Sequence, residues 1–130
     1  MKIEADLHNL DEVIACIKRS GKKIVLLQGT LGSGKTTLVK AFAKKEPVTS
    51  PTFSIQQIYG GDIYHYDLYN AGFEKFLELG LFEELEKPGY HFIEWADENM
   101  EEFLRQSGFS YLKILITPQK EKRVYECILS

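Results

Sequence analysis

The stretch between Gln28 and Leu38 constrains the fold of this chain more than any other. Gly29-Thr30-Leu31-Gly32-Ser33-Gly34-Lys35-Thr36 satisfies the pattern G-x-x-x-x-G-K-[ST] in full. Before it comes Ile24-Val25-Leu26-Leu27, an apolar, partly β-branched block that reads as a strand buried on both faces. After it, Leu38, Val39, Phe42 and Ala43 recur at helical spacing over about residues 35–45. A buried strand, a glycine-rich turn and a helix in that order belong to an α/β arrangement.

The turn has the chemistry of a phosphate cradle. Wrapping a phosphate brings several backbone N–H groups to one point, where side chains would obstruct the approach. Gly29, Leu31, Gly32, Ser33 and Gly34 form that loop, and the following helix adds the positive end of its dipole. Lys35 is spaced to reach the β- and γ-phosphates. The Thr36 hydroxyl is offered to Mg²⁺, and Thr37 to the α-phosphate. The expected ligands are ATP or ADP with Mg²⁺. A glycine-rich turn matching the pattern by chance is the bland alternative, and the flanking strand and helix argue against it.

The remaining chain fits the same architecture. Asn9-Leu10-Asp11-Glu12 resembles a capping box, with Asn9 as N-cap and Glu12 reaching back, before a helix facing inward through Val13, Ile14, Cys16 and Ile17. Residues 54–59 and 63–69 alternate as strands around a Gly60-Gly61 turn. Residues 73–86 are helical in period with a break at Gly80, 90–95 read as a strand, and 97–105 as a short helix. Residues 111–117 and 123–129 form a terminal hairpin. The expected fold is one α/β P-loop NTPase-like domain over residues 1–130, a mixed parallel and antiparallel sheet flanked by helices.

A phosphate loop of this type also needs acids at the ends of neighbouring strands, to hold Mg²⁺ and orient the attacking water. Glu94 closes the apolar run Tyr90 to Trp95, and Asp67 ends His65-Tyr66-Asp67. Thr49, Ser50 and Thr52 surround Pro51 directly after the loop's helix, as in a switch that senses γ-phosphate or Mg²⁺. A proline turn whose hydroxyls bond their own backbone fits them equally. Trp95, the only tryptophan, reads either as a contact near the nucleotide or a partner, or as a core aromatic. His65 reads as a satisfied structural histidine, and Tyr59, Tyr64, Tyr66 and Tyr69 as hairpin packing.

Composition narrows the partners. The net charge is −3, and the arginines are Arg19, Arg105 and Arg123, so no basic cluster suited to gripping nucleic acid is visible. Cys16 and Cys127 lack ligand-like spacing and read as free buried thiols. No apolar run is long enough to span a membrane, and residues 1–6 lack a signal-peptide core. A cytoplasmic protein is expected.

Taken together, the motifs resemble the TsaE (YjeE) family of bacterial P-loop ATPases, which is required for making threonylcarbamoyladenosine (t6A) on tRNA. The resemblance is carried by residues 31–37, Val48-Thr49-Ser50-Pro51-Thr52-Phe53, Tyr64-His65-Tyr66-Asp67-Leu68-Tyr69, Glu78-Leu79-Gly80-Leu81 and Ile93-Glu94-Trp95. It implies that Thr36 and Glu94 serve Mg²⁺, that Asp67 positions water, and that Thr49, Ser50 and Thr52 form a nucleotide-responsive switch. It also implies a weak ATPase that works with the TsaB–TsaD pair, meeting tRNA only indirectly through these partners. The sequence departs from the family at Asn70, where arginine is usual, and in the short link through Pro47. The segment Ile3 to Leu7 is the expected source of adenine contacts.

Two other functions fit a phosphate loop. A small-molecule kinase needs a second pocket and several arginines, and none lies near the loop in sequence. A nucleotide-gated binding module with negligible turnover needs only the loop and a switch.

Overall fold

The computed structural model describes residues 1–30, 32–44, 46–47, 55–70 and 72–129. The strands are β1 (Lys2–Ala5), β2 (Ile24–Gly29), β3 (Gln56–Tyr59), β4 (Ile63–Asp67), β5 (Tyr90–Glu94), β6 (Leu112–Gln119) and β7 (Lys122–Leu129). They form one sheet in the order β1-β7-β6-β2-β5-β4-β3. The four inner strands β6, β2, β5 and β4 run parallel, and antiparallel strands close both edges. The expected mixed α/β sheet is the one observed.

The apolar block in β2 explains why that strand is central. Val25 and Leu27 face one side of the sheet and pack with α1 (Asp11–Ser20) and α2 (Lys35–Ala43) through Val13, Ile17, Leu38 and Val39. Ile24 and Leu26 face the other side, against α3 (Gly72–Glu78), α4 (Leu81–Glu84) and α5 (Glu98–Gln106) through Phe76, Leu81, Met100 and Leu104. With successive side chains on opposite faces, a strand covered on both sides must be apolar throughout.

Three local expectations need correction. Strand β1 was not anticipated: residues 3–5 pair with β7 and bury Ile3 and Ala5 in the core, which leaves only Leu7 of the Ile3-to-Leu7 segment in the nucleotide cleft. Four residues are too few for a periodicity signal, and their partner strand lies at the far end of the chain. The capping box is not formed: the N-cap of α1 is Leu10, with no side-chain cap bond. Asn9 Oδ1 accepts from the Asp11 N–H at 3.4 Å, but the Asn9 N–H donates to the Asp6 carbonyl, so Glu12 does not reach back to it. Finally, Asp97 precedes α5 as its cap, accepting from the Met100 N–H at 2.9 Å. The break at Gly80, whose φ is 71°, separates α3 from α4 as expected.

Cys16 and Cys127 are both buried and free. No helix among the described residues is long and apolar enough to cross a membrane.

Candidate functional site

The parallel strands bring the phosphate loop and the two acids to one edge. Glu94 lies opposite Leu27 of β2 on one side and opposite Asp67 of β4 on the other. All three strands run in the same direction, so the loop after β2 and both carboxylates emerge at the same end of the sheet. Ligands of open α/β sheets bind at this carboxyl end.

The loop is shaped by close approach. A Cβ at Gly29 would stand 2.6 Å from Ser33 Oγ and 2.8 Å from the Ile116 carbonyl oxygen, so a side chain would push the loop off β6. Gly34, at φ 106°, caps α2 in a conformation that L-residues rarely adopt. The Ser33 N–H donates to the Thr30 carbonyl at 3.0 Å, tightening the turn.

Lys35 is 4% exposed. Its ammonium donates to the carbonyls of Gly29 at 2.9 Å and Thr30 at 3.0 Å, and lies 4.1 Å from the centre of the Trp95 ring. Burial lowers its pKa, while the charges of Glu94 and Asp67 oppose that shift. The Thr36 hydroxyl donates to Glu94 Oε2 at 2.8 Å. The same carboxylate oxygen is bonded by His65 Nε2. Burial pushes the Glu94 carboxyl up, but His65, Thr36 and Lys35 together outweigh it and leave the pKa below the usual carboxylate value. Asp67 is exposed, and its Oδ1 accepts from the Tyr69 N–H at 3.0 Å.

Lys35, Thr36, Thr37, Asp67 and Glu94, picked out in the sequence, therefore line one cleft of about 270 Å³ with Gly32, Ser33 and Gly34. Gly29 ends β2, and its carbonyl accepts from the Lys35 ammonium. Leu31, Thr49, Ser50 and Thr52 lie outside the described residues. Trp95 combines features of both readings: it lines the cleft wall while packing partly against the apolar core, its ring centre lies 4.8 Å from that of Tyr69, and it turns the chain at φ 64°.

Two residues in the site were not anticipated there. His65 is buried, but its partner is Glu94 itself, 29 positions away. Only the motif Tyr64-His65-Tyr66-Asp67 hinted at it, because an alternating strand that ends in an acid puts the residue two before that acid on the same face. Arg123 has no sequence signal at all. It reaches the loop because β7 folds back along β6, and its Nε donates to the Ser33 carbonyl at 2.6 Å.

The comparisons with known proteins agree with one another. The family model described as "Threonylcarbamoyl adenosine biosynthesis protein TsaE" matches residues 1–125. A tRNA threonylcarbamoyladenosine biosynthesis protein TsaE from Treponema pallidum is 34% identical over 105 residues, covering 75% of this chain and 78% of that protein. The protein of the same name from Aquifex aeolicus is 38% identical over 104 residues, covering 68% of this chain and 77% of its own. The crystal structure of YdiB from Bacillus subtilis superimposes with a TM-score of 0.61 at 26% identity, covering 100% of this chain and 86% of that one. By its motifs, its fold and these relatives, the chain belongs to the TsaE family.

Proposed function

We propose that this chain is the Mg²⁺-dependent ATP-binding and ATP-hydrolysing component of t6A biosynthesis. It acts in the cytoplasm with a TsaB–TsaD complex and meets tRNA only through that complex. One observation carries the reading: the Thr36 hydroxyl and the buried Glu94 carboxylate meet at the mouth of a phosphate loop whose lysine lies alongside.

The donor set suits magnesium. Thr36, Glu94 and Asp67 offer one hydroxyl and two carboxylates, all hard oxygen ligands. Among the described residues no group of three or more His, Cys, Asp or Glu could hold a metal by itself. Magnesium binds through one or two carboxylates plus substrate phosphates and keeps its waters. When bound, it would neutralise charge developing on the phosphates. Thr36 and Glu94 would hold it. Lys35 would exchange its two loop carbonyls for the β- and γ-phosphate oxygens. Asp67, exposed beside Glu94, would orient the attacking water. Trp95 and Tyr69 would shield that end of the cleft from bulk solvent.

The resting contacts support weak turnover by the isolated chain. Lys35 and Thr36 each already bond a group within the site, so productive binding must exchange those bonds. Dependence on partners fits this arrangement. Reconstituted tRNA modification, with and without this chain and with Lys35→Ala as control, tests the proposal. Phosphate release by the chain alone and with TsaB–TsaD separates an ATPase from a nucleotide-gated module. Full modification without the chain, or with Lys35→Ala, would overturn it.

A further inference from the structure

Trp95 is held in a backbone conformation that its own side chain disfavours. Its φ of 64° lies in the left-handed region, where a bulky non-glycine residue is strained. Such a conformation persists only where the surroundings fix it from more than one side. The carbonyl of Glu94, just before Trp95, accepts from the Leu68 N–H at 3.1 Å. The carbonyl of Ala96, just after it, accepts from Gln28 Nε2 at 3.4 Å. Gln28 also immediately precedes Gly29, whose carbonyl holds the Lys35 ammonium. One side chain therefore ties the start of the phosphate loop to the turn that carries the indole.

A glutamine at this position departs from the row it belongs to. Ile24 and Leu26 occupy the same face of β2 and are buried with Met100 and Leu104 of α5, and strand alternation puts Gln28 next in that row. A polar group there needs partners. The second partner is Glu101 of α5, whose Oε2 accepts from the same Nε2 at 3.3 Å. Glu101 is 9% exposed, and its Oε1 accepts from the Tyr111 hydroxyl at 2.8 Å and from Lys113 Nζ at 3.1 Å. Burial pushes the Glu101 carboxyl up, but the bonds from Tyr111, Lys113 and Gln28 outweigh it and hold the pKa below the usual carboxylate value. An ionised carboxylate only accepts hydrogen bonds, so it leaves the Gln28 amide one orientation, nitrogen toward Glu101 and Ala96.

We propose that Gln28, oriented by Glu101, is a positioning residue that clamps the Trp95 turn and so holds the indole over Lys35, with the ring centre 4.1 Å from the ammonium. Neither Gln28 nor Glu101 lines the cleft, so each acts through Trp95 and not by touching a ligand. The consequence for turnover rests on the ATPase reading above.

Trp95 is the only tryptophan of the chain, so its emission reports on the turn directly. The test compares emission maximum and acrylamide quenching of the full chain in the wild type, Gln28→Met and Glu101→Gln. Urea midpoints follow the fold, and phosphate release in the assembly with TsaB–TsaD follows turnover. Methionine keeps the length of the side chain but cannot donate. In Glu101→Gln the Lys113 charge draws the new amide oxygen, leaving its nitrogen toward Gln28, whose own amide must then turn and release Ala96. Both variants should red-shift the emission, quench more readily while folded, and lower kcat by about ten- to hundredfold with KM little changed, the scale of a displacement of about 1 Å. Lower urea midpoints with wild-type emission, quenching and kcat would reduce both residues to packing and overturn the proposal. A change in Gln28→Met with none in Glu101→Gln would remove Glu101 from the clamp and overturn it equally. Should Gln28→Met not fold, Glu101→Gln decides alone. If the wild type released no phosphate even with TsaB–TsaD, the ATPase reading would fall, while the emission of Trp95 would still decide the clamp.

Discussion

The Thr36 hydroxyl donates to Glu94 Oε2 over 2.8 Å, although 58 positions separate the two residues. In this state each satisfies the other, and a metal ion would have to draw on both oxygens. Glu94→Gln keeps the size of the side chain and an acceptor for Thr36 but removes the charge. It should leave ATP affinity near that of the wild type and raise the Mg²⁺ requirement for hydrolysis about ten- to hundredfold. Asp67→Asn should likewise bind ATP while lowering turnover by about a hundredfold, the usual contribution of a group that handles the water's proton. Phosphate release in the full assembly checks both. Normal turnover by both variants would show that the acids have been assigned the wrong roles.

His65 bonds the same oxygen of Glu94, so it should act as a positioning residue for that carboxylate. His65→Ala takes a partner from a carboxylate that is 3% exposed. The loss should cost about 1–3 kcal/mol of stability in urea unfolding, the penalty for an under-satisfied buried polar group. It should also weaken the Mg²⁺ dependence of hydrolysis. Glutamine can place an amide N–H near the position of Nε2, so His65→Gln should restore the Mg²⁺ response at least in part. If alanine and glutamine behaved alike, the histidine would be packing only.

His91 should make the fold sensitive to mild acid. Its Nδ1 accepts from the Tyr66 hydroxyl at 2.8 Å and its Nε2–H donates to the Lys87 carbonyl at 2.9 Å, so the neutral ring suits the site. Burial, the largest influence, holds its pKa below the ordinary 6.5, against the opposing effects of the Lys87 carbonyl and Glu84. The unfolded chain therefore takes up a proton before the folded one does. The stability contributed by the neutral ring is present above the unfolded value and is lost as pH falls from there through the folded pKa. The loss approaches about 1.4 kcal/mol per pH unit at most. Urea midpoints compared between about pH 7.5 and 5.5 should fall for the wild type and fall less for His91→Gln. Parallel slopes would argue against this group as the source.

The two thiols should be inert in the folded protein. Both are 8% exposed, and burial together with the neighbouring Cys16 thiol pushes the Cys127 pKa up to about 12. Since the thiolate is the reactive form, alkylation at mildly alkaline pH should be slow and should follow the extent of unfolding in urea. Rapid labelling of the native protein would contradict this.

The sequence by itself determined the strand, loop and helix around Gly29 to Thr36, because glycine spacing, β-branched burial and helical period are all local properties. It also identified Glu94 and Asp67, since an apolar strand ending in an acid can be read along the chain. Edge strand β1 was beyond it, because a four-residue strand is stabilised by its partner and leaves almost no pattern of its own. The bond of His65 to Glu94 was no more than hinted at by its motif, and the place of Arg123 beside Ser33 was invisible. Each depends on register between strands far apart in sequence, and the interactions that set register are packing contacts that no single segment encodes. Only the folded sheet sets the acids on one side of the phosphate loop and Leu7 with Arg123 on the other, giving the cleft its direction.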